Sequence, residues 1–161
     1  IWQTPQLSSD QTFFSGLLGM DAFGAFFSAL FLITGALAVA ASIRFLEDHE
    51  AHHPEYYFFL LCALLGMMIM ARSVDFVSLF VGLELQALSI YVLVGYLKSD
   101  RKSNEAGMKY FILGSMSSAI FLYAISLLYA MTGTTNLAQI AEAIVAGALQ
   151  EQEEIVFGVV R

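Results

Sequence analysis

Four apolar runs, each long enough to cross a lipid bilayer, constrain the fold of this 161-residue chain more than any other feature. A membrane-spanning helix needs about 20 mostly apolar residues. The runs occupy residues 21–46, 55–71, 74–97 and 105–131. The chain is 58% hydrophobic and 13% charged, whereas about a quarter of the residues in a soluble domain are charged. We therefore predict an all-α fold, a polytopic transmembrane helix bundle.

The segments outside the four runs complete this prediction. Residues 1–20 are polar and aromatic without a basic stretch, so we expect an extramembrane N-terminal segment rather than a signal peptide. The chain begins at Ile1 and stops within an apolar run, so we interpret 1–161 as a single transmembrane domain from a longer polytopic protein. Residues 136–149 predict a short amphipathic helix on the membrane surface. Its apolar positions are Leu137, Ile140, Ala141, Ile144, Val145 and Ala148.

The short loops predict an orientation and two helix starts. With four spans, loops 47–54 and 98–104 share one side. Loop 98–104 contains two lysines and one arginine, and cytoplasmic loops are enriched in these residues. We therefore expect this loop in the cytoplasm. Ser103 or Asn104 is predicted to cap the fourth helix, and Asp75 is predicted to lie at the interfacial start of the third.

Glu84 is the most unusual residue in these runs. It lies about ten residues inside the third run, about 15 Å from its outer end at the rise of a helix. A carboxylate at the bilayer centre costs about 2.5–3.5 kcal/mol, and such residues usually belong to an ion or proton path. The alternative is a protonated glutamate that only hydrogen-bonds a neighbouring helix, a role that glutamine would fill equally well. Tyr91 is the one polar residue that shares its helical face.

Lys109 lies about one turn inside the fourth run. It is either a second proton-handling residue or a lysine whose long stem reaches the interface. Glu105 precedes it by four residues, the favourable order for an ion pair on a helix. Axial rise separates Lys109 from Glu84 by about 13–15 Å in depth. We therefore expect no direct contact between them, while a relay through water remains open.

Small residues lie on the other face of the fourth helix. Gly107, Gly114 and Ser118 have the spacing that lets two helices approach closely. We interpret them as packing residues.

Several other kinds of site are disfavoured. Cys62 is the only cysteine, so it cannot form an intrachain disulfide or supply a metal site by itself. His49, His52 and His53 lie in an acidic loop that we interpret as solvated rather than metal-binding. The net charge of −7 argues against nucleic acid as a partner. The sequence contains no phosphate loop, metal-ligand pair or nucleophile elbow, so we expect neither a cofactor nor a metal in this chain.

Two stretches resemble the subunit N family of respiratory complex I, the proton-pumping NADH–quinone oxidoreductase. They are VSLFVGLELQALSIYVLVGYL and DRKSNEAGMKYFILGSMSSAIFLYAISLLYAMTGTTNL. The patterns G-L-E-L…S-x-Y-V-L and E-A-x-x-K-Y-F-x-L-G-x-x-S-S-A carry the resemblance, which covers about 71–140. Residues 1–70 agree only in hydropathy and in the aromatic-rich entry of the helix. Leu83 stands where the related subunits L and M tend to have tryptophan.

The resemblance implies a role in proton translocation. It implies that the four spans are the third to sixth of fourteen, that Glu84 is the glutamate of the proton channel, and that Lys109 is the family's helix-six lysine. The partner of the glutamate would be a lysine on a broken seventh helix, which this sequence does not include. The enzyme's NADH, FMN, iron–sulfur clusters and quinone would bind to other subunits.

The resemblance also implies partners and a location. Membrane-arm subunits, including subunits M and K, would be the partners in a bacterial inner membrane, or in the mitochondrial inner membrane for an organellar protein. Two alternatives remain at this stage. One is a subunit of a multisubunit cation/proton antiporter, and the other is a helical scaffold that transports nothing.

Overall fold

A computed structural model describes residues 12–49 and 54–147, and most of them form five helices. The helices are α1 (Ala22–Asp48), α2 (Pro54–Arg72), α3 (Phe76–Val94), α4 (Arg101–Thr132) and α5 (Leu137–Gly147). The first four are long and apolar enough to cross a membrane. This confirms the predicted all-α bundle of four spans.

The start of α4 differs from the prediction. The helix begins at Arg101, and its cap is Asp100, whose carboxylate accepts a 3.0 Å hydrogen bond from the Lys102 backbone N–H. The expectation of a cap at Ser103 or Asn104 is therefore wrong. A carboxylate is a strong helix cap, and Asp100 precedes both candidates. Ser103 instead donates a 2.7 Å hydrogen bond to a carbonyl near the end of α3.

The helices pack against one another in chain order, with the closest packing between α2 and α3. Glycine allows this approach. A Cβ added to Gly66 of α2 would lie 2.6 Å from the carbonyl oxygen of Gly82 and 2.6 Å from the backbone nitrogen of Gln86, both on α3. Backbone atoms cannot move aside as a flexible side chain can, so only glycine fits at residue 66.

The contact between α3 and α4 forms an antiparallel seam. A Cβ on Gly107 would lie 2.9 Å from the Gly95 Cα, and one on Gly114 would overlap the Tyr91 hydroxyl. These contacts confirm that both glycines of α4 serve packing. We call this contact the α3–α4 seam. It is formed by Phe80 and Tyr91 of α3 and the cap residue Gly95 that follows it, with Gly107, Tyr110, Phe111, Gly114 and Phe121 of α4.

Three chain segments meet at one end of the bundle. A short antiparallel hairpin, β1 (Thr12–Phe13) and β2 (Leu18–Gly19), lies in the predicted extramembrane segment and is an element that the sequence did not predict. The Val74 N–H donates to the Leu17 carbonyl, and the Val74 carbonyl accepts from the Leu137 N–H. The connection between α2 and α3 is thereby held between the hairpin and the start of α5.

The fifth helix agrees with the predicted amphipathic helix over the residues that are described. Its start is capped by Asn136, whose side-chain oxygen accepts hydrogen bonds from the Ala138 and Gln139 N–H groups. Ile140 is buried at 5% exposure, whereas Val145 is 59% exposed. Residue 148, the last predicted apolar position, lies outside the described residues. The location of α5 on a membrane surface stays a prediction.

Candidate functional site

Glu84 lies near the middle of α3, eight residues beyond its first residue. The residue is half-buried, and its Oε1 is fully buried without a hydrogen-bond partner. Within residues 12–49 and 54–147, it is the only buried side-chain oxygen or nitrogen that has no hydrogen-bond partner. An unpaired buried acceptor costs about 1–3 kcal/mol, so this oxygen does not contribute to stability.

The two faces of α3 show where Glu84 points. One face, with Ser78, Gly82 and Ser89 buried, packs on α2. Phe80 and Tyr91 lie on the other face and contact rings of α4. Glu84 lies on the same face of α3 as Phe80 and Tyr91, because it is four residues from the first and seven from the second. The carboxyl therefore belongs to the α3–α4 seam.

The seam contacts fix the relative depth of Glu84 and Lys109. Ring contacts join residue 80 to residue 121 and residue 91 to residue 111, so Glu84 is level with Ser118. Lys109 lies nine residues from that level, an axial distance of about 13 Å at 1.5 Å per residue. The structure therefore keeps Glu84 and Lys109 apart, which agrees with the sequence prediction of no direct contact.

Lys109 has a different partner. Its Nζ donates to the Glu105 carboxylate at 2.5 Å, which confirms the predicted ion pair. The Lys109 side chain is 69% exposed and that of Glu105 is 55% exposed, so both lie on the face of α4 away from the seam. Exposed pairs of this kind contribute about 0.2–1 kcal/mol in water. The pair therefore lies on a face of α4 that no other helix in the described bundle covers, and it does not contact Glu84.

Tyr91 is held firmly between α3 and α4. Its ring lies edge-on to Tyr110, with centroids 5.0 Å apart, and edge-on to Phe111 at 5.8 Å. Its hydroxyl lies over Gly114. Side chains on a helix lean toward the N-terminus, and Gly114 is level with residue 88. The hydroxyl therefore lies between the depth of the Tyr91 Cα and the depth of Glu84.

A cavity opens at the end of the bundle that carries Lys98. It has a volume of about 870 Å³ and is lined by His49, Glu55, Phe59, Val92 and the loop 95–100. The sequence did not predict this cavity, because its walls come from the end of α1, the start of α2 and the end of α3, which are distant in sequence. Tyr96, two residues after the end of α3, is one of the residues that line the cavity. Burial, with a smaller effect from Glu55, raises the pKa of its phenol above the ordinary value.

Metal ligands are not grouped in the described part of the chain. Residues 12–49 and 54–147 contain no cluster of three or more histidine, cysteine, aspartate or glutamate side chains that could hold an ion. Cys62 is partly exposed and unbonded. His52 and His53 lie outside the described residues.

Comparison with known proteins gives a consistent result. A family model described as NADH:quinone oxidoreductase/Mrp antiporter, transmembrane, matches residues 73–160. The chain is 53% identical over 131 residues to NADH-quinone oxidoreductase subunit N 1 of Koribacter versatilis, covering 80% of this chain and 26% of that protein. It is 47% identical over 136 residues to subunit N 2 of Rhizobium meliloti, covering 84% of this chain and 28% of that protein. The chain thus spans about a quarter of the length of these relatives.

Proposed function

We propose, since the chain belongs to the NADH:quinone oxidoreductase/Mrp antiporter transmembrane family, that it is part of subunit N of a proton-pumping NADH–quinone oxidoreductase. In this proposal its four spans form part of a proton-translocating half-channel. One observation carries the proposal. The Glu84 carboxyl lies in the middle of a span, faces a helix seam, and has a buried oxygen that no group in the described chain satisfies.

The proposed chemistry uses the ionisable residues of the spans. The unpaired Oε1 of Glu84 can bind a proton, or accept a hydrogen bond from a water that delivers one. Lys109, paired with Glu105 on the open face of α4, is the second proton-handling residue of the proposal. Because these two residues differ in depth by about 13 Å, a proton passes between them only through water or a further residue.

The proposal assigns the electron chemistry to other subunits. NADH oxidation, the FMN and iron–sulfur clusters, and quinone reduction would lie in those subunits, and the proposed role of this chain requires no redox cofactor or metal of its own. Its partners would be the other membrane-arm subunits, including subunits M and K, and the lipid of a bacterial inner membrane. The relatives that support this assignment are named as subunits N of NADH-quinone oxidoreductase.

The experiment is to replace Glu84 in the full-length subunit and to assemble the complex in liposomes. Glu84→Gln keeps the shape of the side chain but removes the titratable group. We expect fewer protons translocated per NADH oxidised, with normal assembly. Glu142→Gln is the matched control, because it makes the same chemical change on an exposed residue of α5. Unchanged translocation in Glu84→Gln would contradict the proposal and favour a scaffold subunit.

A second candidate function follows from the family description, which also covers Mrp antiporters. In that case the chain would belong to a multisubunit cation/proton antiporter with no link to NADH. The two functions differ in their driving force. Proton movement that starts on addition of NADH to the assembled complex supports the first, and proton movement that starts only with a sodium gradient supports the second.

A further inference from the structure

Ser118 lies on the face of α4 that packs on α3, at the level of Glu84. It is four residues after Gly114 and three before Phe121, and both of these residues contact α3. Residues at that spacing share one face of a helix. Ser118 is half-buried, whereas the residues on either side of it are exposed. The serine, which the sequence suggested as a packing residue, therefore faces the seam.

The contacts on both sides of Glu84 show that the seam is continuous at its level. One turn toward the start of α3, the rings of Phe80 and Phe121 lie 6.2 Å apart. Toward the other end of α3, the Tyr91 hydroxyl lies against Gly114. The two helices therefore stay in contact across this level, which brings the carboxyl and the serine hydroxyl within reach of each other.

The serine hydroxyl is the hydrogen-bond donor that α4 offers to the carboxyl. The nearest other residues on the seam face of α4 are Gly114 and Phe121, which carry no polar side-chain atom. The backbone N–H groups of α4 are occupied by the hydrogen bonds of the helix itself. The Tyr91 hydroxyl lies at Gly114, four residues and about 6 Å along the axis from this level, which exceeds the length of a hydrogen bond, about 2.8 Å.

The hydroxyl of Ser118 also has no competing partner in the described part of the chain. Three other serines of α4 each donate to a backbone carbonyl one turn earlier in the helix. Ser118 makes no hydrogen bond to any of residues 12–49 and 54–147. On the opposite side of the seam, the Glu84 Oε1 is buried without a donor. A donor and an acceptor that are both unpaired thus face each other at one depth.

We propose that Ser118 is a positioning residue for Glu84, and that its hydroxyl donates a hydrogen bond across the seam to the carboxyl. The bond requires only rotation of the serine side chain between staggered positions, and it breaks no existing hydrogen bond. It fixes the orientation of the carboxyl and stabilises the negative charge that remains when the proton leaves. This inference rests on the proposed role of Glu84. Ser118 acts through that residue and takes up no proton itself.

The test is infrared difference spectroscopy of the assembled complex, which measures the protonated-carboxyl band that is absent in Glu84→Gln. Ser118→Ala removes the serine hydroxyl, and Ser118→Thr keeps a hydroxyl at the same position. Ser117→Ala is the matched control, because it makes the same change at the next residue, whose exposed hydroxyl donates to the Leu113 carbonyl. Tyr91→Phe removes the other hydroxyl of the seam that lies near this level.

A hydrogen bond to its oxygen weakens a carboxyl C=O bond, so we expect the band to move to higher wavenumber in Ser118→Ala. The number of protons translocated per NADH should also fall, by less than in Glu84→Gln, with assembly and quinone reduction unchanged. In Ser118→Thr both quantities should stay close to those of the unmodified complex. The band should not move in Ser117→Ala or in Tyr91→Phe.

Three results would overturn the inference and leave the role of Glu84 intact. The first is a band at unchanged wavenumber in Ser118→Ala. The second is an equal band shift in Ser118→Ala and Ser118→Thr, which would mean that the hydroxyl is not its cause. The third is a shift in Tyr91→Phe alone, which would make the phenol the donor. A complex with no band that depends on Glu84 would instead contradict the proposed function, and the inference with it.

Discussion

The carboxylate that caps α3 and the carboxylate within it differ in whether their buried oxygens accept hydrogen bonds. Asp75, which is 6% exposed, accepts a 2.8 Å hydrogen bond from the Val77 N–H and a 2.6 Å hydrogen bond from the Thr135 hydroxyl. Both of its oxygens are therefore satisfied, and it caps the helix while tying it to the segment after α4. Glu84 has a buried oxygen without any such donor. Asp75 thus has the environment of a structural residue, and Glu84 does not, which agrees with the chemical role that we propose for it.

This contrast predicts opposite effects on stability. Glu84→Gln should leave the free energy of unfolding unchanged or raise it by up to about 1 kcal/mol, because no hydrogen bond to Oε1 is lost. Asp75→Ala should lower it by about 1–3 kcal/mol, because a cap and a buried acceptor are removed together. Denaturant unfolding of the subunit in detergent, followed by circular dichroism, measures both. A greater loss for Glu84→Gln than for Asp75→Ala would contradict this interpretation of the two carboxylates.

At the residue scale, local patterns predicted local contacts. The Glu105–Lys109 pair depends only on a spacing of four within one helix, and it forms as expected. The depth difference between Glu84 and Lys109 follows from helical rise, and the seam reproduces it. The seating of Tyr91 on Gly114 could not be predicted in the same way, because it depends on the register of two helices that is set by packing.

At the scale of elements, glycines set how closely the spans approach. The backbones of α2 and α3 meet at Gly66 and Gly82, and those of α3 and α4 meet at Gly95 and Gly107. Inside a membrane, helix association depends on packing of this kind, because lipid chains are as apolar as the helices. The position of Glu84 in the seam therefore depends on small residues that lie elsewhere on the helices.

Gly66→Ala tests this dependence. The new methyl group would meet backbone atoms of α3 at 2.6 Å, so α2 and α3 must separate, at a cost of about 1–3 kcal/mol for overpacking. Gly147→Ala is the control, because no atom of residues 12–49 and 54–147 lies within 4 Å of its Cβ position. There we expect no loss of stability, because the new methyl group meets no described atom. Thermal unfolding of both variants in detergent gives the comparison, and equal stability of the two would contradict the proposed packing role.

Hydropathy predicted the four spans because each is a continuous apolar run, but it did not predict the hairpin before α1. That hairpin pairs with a distant segment, since Leu18 forms a bridge with Ser73. The start of α4 was missed for a related reason. Polar residues between Asp100 and Glu105 extend the helix beyond the apolar run, and hydropathy detects only the part that enters the bilayer.

At the scale of the whole molecule, the bundle leaves much apolar surface uncovered. Only 6% of the most apolar part of α4 is buried within the bundle, and Leu113, Met116 and Ile120 are each at least 60% exposed. Such a surface requires lipid or further helices to cover it. The helix has 32 residues, or about 48 Å at 1.5 Å per residue. It therefore extends past a hydrocarbon core of about 30 Å, or tilts within it.

The two ends of α4 should be accessible from opposite sides of the membrane. We expect Ser99→Cys to react with a membrane-impermeant thiol reagent from the cytoplasmic side, and Ala138→Cys from the other side. Both residues are exposed in the bundle, and the basic residues of loop 98–104 set the expected direction. Cys62→Ser, which removes the only native cysteine, provides the background. Labelling of both positions from the same side would contradict the topology.

The central claim is that Glu84 takes up and releases a proton during turnover. Infrared difference spectroscopy of the assembled complex, before and after addition of NADH, measures this change directly. We predict a protonated-carboxyl band that appears or disappears on turnover, that is absent in Glu84→Gln, and that remains in Glu142→Gln. A difference spectrum in the carboxyl region that is identical in the unmodified complex and in Glu84→Gln would contradict the claim.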